Sequence, residues 1–285
     1  MEQIRPTANI AILMATYNGG RFLEEQLKSI LCQSYVDWQL FVHDDGSTDN
    51  TTDILQQYTA KYPDKIVELH YPPTGSSCQN FLSLLERIEA TYYMFCDQDD
   101  VWHEDKIAKT LQCMQNAGRD IAMPLVAHTD LRVVDAQLKL IDPSFWHYAG
   151  IDPYRVSTFE DCVMNTATGC TMLFNVKARK EALAHPSRLA TMHDAWVVCC
   201  CLAAKGKVLV LPEATMDYRQ HGDNCLGAQD SNRLTLAYRI RNLFNILSNY
   251  HTTYRMLNSI APYSPWTFLR NKAKNSSIFR STSEG

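Results

Sequence analysis

The sequence predicts an α/β fold: a mostly parallel central sheet flanked by helices, followed by a basic helical extension at the C-terminus. Three observations predict it. Short apolar segments alternate with helix-period segments through the first half of the chain, the arrangement of a parallel sheet with right-handed crossovers. The stretch Tyr92-Tyr93-Met94-Phe95-Cys96-Asp97-Gln98-Asp99-Asp100-Val101-Trp102 runs from continuous apolar residues straight into carboxylates. That is a strand buried on both faces, ending at the edge where open α/β sheets bind ligands. Finally, after Asp230 the only acid is Glu284, against Arg233, Arg239, Arg241, Arg255, Arg270, Lys272, Lys274 and Arg280.

The elements follow in order. Asn9–Ala15 is apolar and β-favouring, and Asn18-Gly19-Gly20 turns the chain. Phe22, Leu23, Leu27, Ile30 and Leu31 recur at helical spacing. Trp38–Val42 is a second strand and runs into His43-Asp44-Asp45-Gly46-Ser47-Thr48-Asp49. Ile54, Leu55 and Tyr58 mark a second helix, which Thr48 or Asp49 is placed to cap. Lys65–His70 is a third strand, and Phe81, Leu82, Leu84, Leu85 and Ile88 a third helix that delivers the chain into the acidic strand.

Beyond Asp100 the pattern loosens. Lys106–Met114 is predicted helical, Pro124–Ala127 a short strand, and Leu131–Asp135 part of a hairpin. Asp142–Asp161, rich in proline and aromatics, is predicted as a long loop, with Trp146, His147 and Tyr148 open to either packing or acceptor contact. Thr168–Phe174 turns into a strand, Ala178–Ala184 is helical, and His193-Asp194 opens an apolar helix through Ala204. Val208–Leu211 and Thr215–Tyr218 are two late strands. No repeat or low-complexity linker divides the chain, so residues 1–228 are read as one domain with halves at about 8–117 and 118–228, and residues 229–285 as the extension.

A net charge of −4 gives no reason to expect a nucleic-acid partner. The N-terminal apolar run Ile10–Met14 is too short for a signal-peptide core, and no run of membrane-spanning length occurs. The cysteines show no CxxC pair; Cys199-Cys200-Cys201 adjoin on one helix among apolar residues, as reduced core residues of a cytoplasmic protein do. Leu236, Ile240, Leu243 and Leu247 share one face of a basic helix, with Ala237 and Phe244 beside them. Such a helix suits an anionic membrane surface, a homodimer, or simple docking on the domain. The Ser-rich tail is expected to be disordered.

One cleft could gather four places: Thr16-Tyr17-Asn18, Asp44-Asp45, Asp97 to Asp100, and His193-Asp194 with His221. Clustered carboxylates repel unless a cation or proton sits between them. A hard divalent ion carrying phosphates resolves that repulsion, while an acidic solvated turn is the simpler reading. Tyr17 could stack a nucleobase, and Asp194, in the first turn of a helix, could take a proton from a hydroxyl. As plain alternatives, Asp44, Asp45, Asp49 and Asp194 cap helices, Tyr17 is core, His221 is a surface residue, and His43 and His128 are structural.

Ala15-Thr16-Tyr17-Asn18-Gly19, Asp44-Asp45-Gly46-Ser47-Thr48-Asp49 and Asp97-Gln98-Asp99-Asp100-Val101-Trp102 resemble the nucleotide-sugar half of family 2 glycosyltransferases with the GT-A fold. His193-Asp194-Ala195-Trp196 and Tyr218-Arg219-Gln220-His221-Gly222-Asp223-Asn224 are similar to a bacterial subgroup that includes rhamnosyltransferases of surface-polysaccharide assembly. The resemblance covers about residues 8 to 228. It implies that Thr16, Tyr17 and Asp45 hold base and ribose with Asp44 beside them, and that Asn18 and Gln98 join the donor side. It implies further that Asp97 and Asp99 are the acids of a DxD motif holding Mg2+ or Mn2+, with Asp100 in support and His221 as a metal or diphosphate ligand. Asp194 would be the catalytic base. Gly169, Cys170, Thr171 and Trp196 would wall the acceptor side. His193 stands where many members carry an acid.

The implied chemistry is inverting transfer of a sugar, from dTDP-rhamnose or a UDP-hexose, to a hydroxyl of a bacterial surface glycan or lipid-linked acceptor. The implied place is the cytoplasm, at the inner face of the plasma membrane. Two rivals remain: a sugar nucleotidyltransferase, whose Gly-rich phosphate loop Ala15-Thr16-Tyr17-Asn18-Gly19-Gly20 does not supply, and a catalytically silent nucleotide-sugar or glycan-binding module.

Overall fold

A computed structural model of the chain describes residues 3–117, 123–222 and 243–274, with the side chains of 243–246 excepted. Asp223 and Asn224, the helix face formed by Leu236, Ala237, Ile240, Leu243 and Phe244, the arginines 233, 239, 241 and 280, and the Ser-rich tail lie outside what is described.

The alternation predicted for the first half is present. It runs β1 (Ile10–Thr16), α1 (Leu23–Leu31), β2 (Trp38–Asp44), α2 (Thr51–Lys61), β3 (Ile66–Glu68), α3 (Ser77–Arg87) and β4 (Tyr92–Cys96). The four strands pair in parallel in the order β3-β2-β1-β4. Their continuous apolar runs are explained by two cores, one on each face of the sheet. Ala11 and Leu13 of β1, Phe41 of β2, and Tyr93 and Phe95 of β4 enter one core. Ile10, Ile12, Met14, Leu40, Val42, Met94 and Cys96 enter the other. Successive strand residues point to opposite faces, so a strand covered on both sides has no polar alternation to show. Helix α3 covers the first face with Phe81, Leu84 and Leu85, and α1 the second with Leu23, Leu27 and Ile30.

The acidic segment follows its strand as expected, with one addition beyond it. β4 ends at Cys96, and Val101–Trp102 forms a separate short strand, β5, paired antiparallel with a strand late in the chain. After α4 (Lys106–Asn116), the next strand, β6 (Leu125–Val134), is longer than Pro124–Ala127 and forms a hairpin with β7 (Leu140–Asp142). The 142–161 segment is not structureless. It holds α5 (Phe145–Ala149), capped where the Ser144 hydroxyl accepts from the His147 N–H, and a 3₁₀ turn over 159–161.

β8 (Leu173–Asn175), α6 (Val176–Ala184) and α7 (His193–Ala203) follow, and then β9 (Lys207–Arg219). The two predicted late strands are thus one. Leu211 pairs with Thr129 and Ala214 with Asp130, so Pro212 and Glu213 bulge out of the ladder. Proline lacks the N–H that a ladder needs, and the bulge made one strand read as two.

Among the described residues the sheet has nine strands, ordered β3-β2-β1-β4-β8-β6-β9-β5 with β7 beside β6; it is parallel through β4 and mixed beyond it. Cys199, Cys200 and Cys201 are free and buried on α7, as expected of small core residues. The described part of the C-terminal segment is helical: α8 (Leu243–Ile260) and α9 (Pro265–Lys274). Met256, Leu257, Ile260, Tyr263 and Phe268 join the core around α7, and the Asn271 amide donates to the Glu160 carbonyl at 2.7 Å. This stretch is docked on the domain, while Leu247, Trp266 and Leu269 face outward.

Candidate active site

The chain moves outward from β1 through β2 to β3, then returns to place β4 on the other side of β1. This reversal opens a crevice at the C-terminal ends of β1 and β4, the place where doubly wound sheets take ligands. The loops after both strands meet there around a cavity of about 750 Å³. Thr16, Tyr17 and Asp45 form one wall, Ser76, Ser77 and Asn80 of α3 another, Asp97, Gln98 and Asp99 the floor, and Gly169, His193 and Asp194 the far side.

Hydrogen bonds fix the first wall. The Asp44 carboxylate accepts from the Thr16 hydroxyl at 2.9 Å and from the Gly46 and Ser47 N–H groups at 3.1 and 2.7 Å. It is therefore committed to the turn beneath the cleft and is not among the cleft-lining residues. Asp45 points the other way and accepts from the N–H groups of Thr74 and Gly75. Asn18 takes a left-handed backbone (φ 47°), which asparagine tolerates, and its side-chain oxygen accepts from the Thr48 N–H at 2.8 Å. Gln98 clamps Tyr17: its oxygen accepts from the Tyr17 N–H at 2.9 Å and its amide donates to the Tyr17 carbonyl at 3.0 Å. Asn18 and Gln98 thus shape the loop that presents Tyr17, whose ring is 59% exposed over the cleft. Asp49 acts as the expected cap, accepting from the Thr51 N–H at 3.0 Å and also from the Gly20 N–H at 3.0 Å.

The acids gather charge with little compensation. Burial, with Asp99 and Asp194 nearby, pushes Asp97 up to about 7. Burial first, then Asp99 and Asp97, push Asp100 well above the usual carboxylate range. Asp100 Oδ1 accepts from the Arg219 N–H at 3.3 Å, and its buried Oδ2 has no hydrogen-bond partner. The imidazole of His221 meets Asp99 Oδ2 at 2.8 Å. Beneath them Lys106 is fully buried, and desolvation brings its amine down to about 8.

This donor set fits a hard dication. Asp97 and Asp99 line the cleft, the His221 imidazole sits on Asp99 Oδ2, and an ion at these acids would relieve the crowded negative charge. Asp97, Asp100 and Cys170 also place donor atoms within 4.8 Å of one another. Burial pushes the Cys170 thiol far up, and its soft sulfur is a poorer match for a hard dication than the carboxylate oxygens.

Asp194 stands in the first turn of α7, where its carboxylate accepts from the Gly169 N–H at 3.1 Å and the Ala195 N–H. Burial raises it to about 6 against those two hydrogen bonds, which suits a group that must take a proton near neutrality. On the same side Gly169 lines the cleft with Thr168 and Met192. Cys170 and Thr171 are buried behind it and are not among the lining residues. Trp196 requires a correction, because its indole is fully buried in the α6–α7 core and donates to the Ala182 carbonyl at 2.9 Å. Trp146 is likewise buried, edge-on to His128.

Two residues at the site stood inside quoted motifs without being given a role. Arg219 is 2% exposed and donates to the Asp99 and Ala136 carbonyls, each at 2.8 Å, and to the Glu25 carboxylate. It binds α1, the β6–β7 turn and the acid loop to the end of β9. His193 occupies the cleft wall beside Asp194; its place before Asp194 in the motif was the one available pointer.

Comparison with known proteins agrees with this architecture. The sequence model described as Glycosyl transferase family 2 matches residues 11–182. The dTDP-rhamnosyl transferase RfbG of Shigella flexneri is 42% identical over 105 residues, which are 35% of this chain and 36% of that protein. The likeness therefore spans little more than a third of that relative. TarS of S. aureus in complex with UDP superimposes with a TM-score of 0.61 at 15% identity, covering 96% of this chain and 72% of that one. A mannosyltransferase from Pyrobaculum calidifontis in complex with GDP-Man and Mn2+ does so with a TM-score of 0.58 at 16% identity, covering 95% and 76%. Likeness at such identities speaks for the fold.

Proposed function

We infer a sugar transfer at this cleft from the premise that the chain belongs to glycosyl transferase family 2 and has the GT-A fold. The observation that carries the reading is the convergence on one cavity of an exposed aromatic, two acids at the end of β4, and a buried carboxylate raised to about 6 on the opposite wall. A nucleotide-sugar fits that order. Tyr17 stacks on the base, Asp45 and Thr16 flank the nucleoside, and the diphosphate lies over Asp97 and Asp99. The donor is dTDP-rhamnose, in keeping with the name of the Shigella relative, or a UDP-hexose.

Asp97, Asp99 and His221 would hold Mg2+ or Mn2+, which when bound supplies charge neutralisation for the diphosphate. The Pyrobaculum enzyme with Mn2+ supports a dication in this fold. Asp194 accepts the proton of an acceptor hydroxyl, and that oxygen attacks the anomeric carbon on the face opposite the diphosphate. The bond to the diphosphate oxygen breaks as the new C–O bond forms, so one displacement inverts the anomeric centre. No second carboxylate stands in for a covalent intermediate in this scheme. The acceptor is a bacterial surface-glycan or lipid-linked hydroxyl, reached at the cytoplasmic face of the membrane, where the basic C-terminal segment meets anionic lipid. Among the described residues no helix is long and apolar enough to cross a membrane.

A thermal-shift panel of dTDP, UDP, GDP, CDP and ADP with and without Mn2+ tests the reading. A ligand at a hundred times its dissociation constant stabilises the folded state by about 2.7 kcal/mol. A Mn2+-dependent shift with dTDP or UDP, absent in Asp99→Ala, is expected; no shift with any nucleotide refutes a nucleotide-sugar enzyme.

A further inference from the structure

His193 is 4% exposed, and neither ring nitrogen has a hydrogen-bond partner. Buried polar atoms are nearly always satisfied, so two orphans on one side chain call for a partner from outside the protein. The ring is held in place, stacked on Phe81 with centroids 4.1 Å apart and edge-on to Phe95 at 4.6 Å. It also borders the cavity, between Asn80 of α3 and Asp194. His128 has orphaned nitrogens too, but it packs against Trp146 and borders no part of the cleft.

Gly169 packs against the imidazole so closely that a Cβ there would fall 2.5 Å from His193 Nε2, so only glycine lets the ring sit at this wall. Burial holds the ring down to about 3, so it is neutral in ordinary buffers and offers one N–H donor and one acceptor. A hydroxyl can meet either nitrogen, accepting from the N–H or donating to the bare nitrogen, whereas a diphosphate oxygen can meet only the N–H. The ring's place between the α3 wall and the base is where a sugar joined to a nucleotide over Asp97 and Asp99 has to lie.

We propose that His193 is the hydroxyl-binding residue of the sugar subsite, its neutral imidazole meeting a ring hydroxyl of the transferred sugar. The proposal rests on the glycosyltransferase reading of the same cleft.

Calorimetric titration of the full chain in Mn2+, without acceptor, tests it on wild type, His193→Phe and His193→Gln. The ligands are dTDP, UDP and their rhamnose and glucose conjugates. Phenylalanine keeps the aromatic stack and removes both nitrogens, whereas glutamine restores a neutral donor and acceptor. One or two lost hydrogen bonds weaken binding about tenfold. His193→Phe is expected to bind the nucleotide-sugar about tenfold more weakly with nucleotide affinity unchanged, and His193→Gln to recover most of the loss. Wild-type protein should also reject, by a similar factor, a donor lacking one particular ring hydroxyl, a measurement independent of whether the variants fold. Equal nucleotide-sugar affinity in wild type and both variants overturns the proposal, as does uniform tolerance of every deoxy donor. A defect confined to the acceptor KM overturns it too, by placing the hydroxyl on the acceptor. If wild type binds neither nucleotide nor nucleotide-sugar, the glycosyltransferase reading itself fails and takes the proposal with it.

Discussion

Replacing Asp194 with asparagine keeps the size and shape of the side chain and removes its basicity. If Asp194 takes the acceptor proton, Asp194→Asn forfeits a general-base contribution of about 10² to 10⁴ in rate, or roughly 3–5 kcal/mol of barrier. Its carboxyl group is raised to about 6. Wild-type kcat/KM should therefore rise with unit slope to near pH 6 and level off, falling about tenfold between pH 7.5 and pH 5. Stability moves the opposite way. A carboxyl group whose pKa is raised on folding stabilises the native state at low pH, and that contribution is lost as pH rises from about 4 through the folded value. The shift from 3.8 to about 6 corresponds to a cost of about 3 kcal/mol at neutral pH. Asparagine escapes that cost and gives up one of the two accepted N–H bonds, worth about 1 kcal/mol. Asp194→Asn should thus unfold at the same temperature or higher at pH 7.5 while losing its activity. Nucleoside-diphosphate release from pH 5 to 8, beside thermal unfolding of both proteins, measures both effects. More than a tenth of wild-type activity in Asp194→Asn, or a wild-type profile flat down to pH 5, refutes the assignment.

Arg219→Lys keeps the charge but cannot reach the Asp99 and Ala136 carbonyls and Glu25 together from one ammonium group. In urea it should lose about 2–5 kcal/mol, and a change below half a kcal/mol would show that the joint is dispensable. Gln98→Ala frees both backbone groups of Tyr17 and should weaken nucleotide binding about 5- to 30-fold at nearly unchanged melting temperature; unaltered affinity would show that Tyr17 needs no clamp.

The parts of the site that were legible in the sequence lie at strand ends. Thr16, Asp45, Asp97 and Asp99 follow apolar runs, and a parallel sheet puts such positions on one edge. Asp194 was legible as an acid in the first turn of an apolar helix. What escaped has physical reasons. Trp196 follows Asp194 by two residues, and a helix turns about 200° over that step, so the same helix that aims the acid at the cleft aims the indole into the core. For Asp44, Asn18 and Gln98 the structure adds backbone-holding contacts that the sequence did not announce. Whether a side chain meets a ligand or a neighbouring backbone depends on contacts across 28 to 81 positions. Such contacts leave no periodic trace. Arg219 was hidden for the same reason, as its partners come from a helix and two loops far apart in the chain. The two-strand reading of β9 failed locally, at Pro212.

The joint at Arg219 also imposes an order on the nascent chain. Asp100 receives its backbone hydrogen bond from a residue 119 positions later, and β5, which follows the acids directly, has its ladder partner only in β9. While the chain is being synthesised, the four parallel strands can assemble from their own sequence, but the acid loop has its clamp at Tyr17 without yet its anchor at Arg219. Contacts of such long sequence separation form late. The carboxylates therefore reach their final geometry near the end of translation of this domain, after Asp194 has already emerged. A chain interrupted midway would own most of the cleft's first wall while its acids still lacked their final placement.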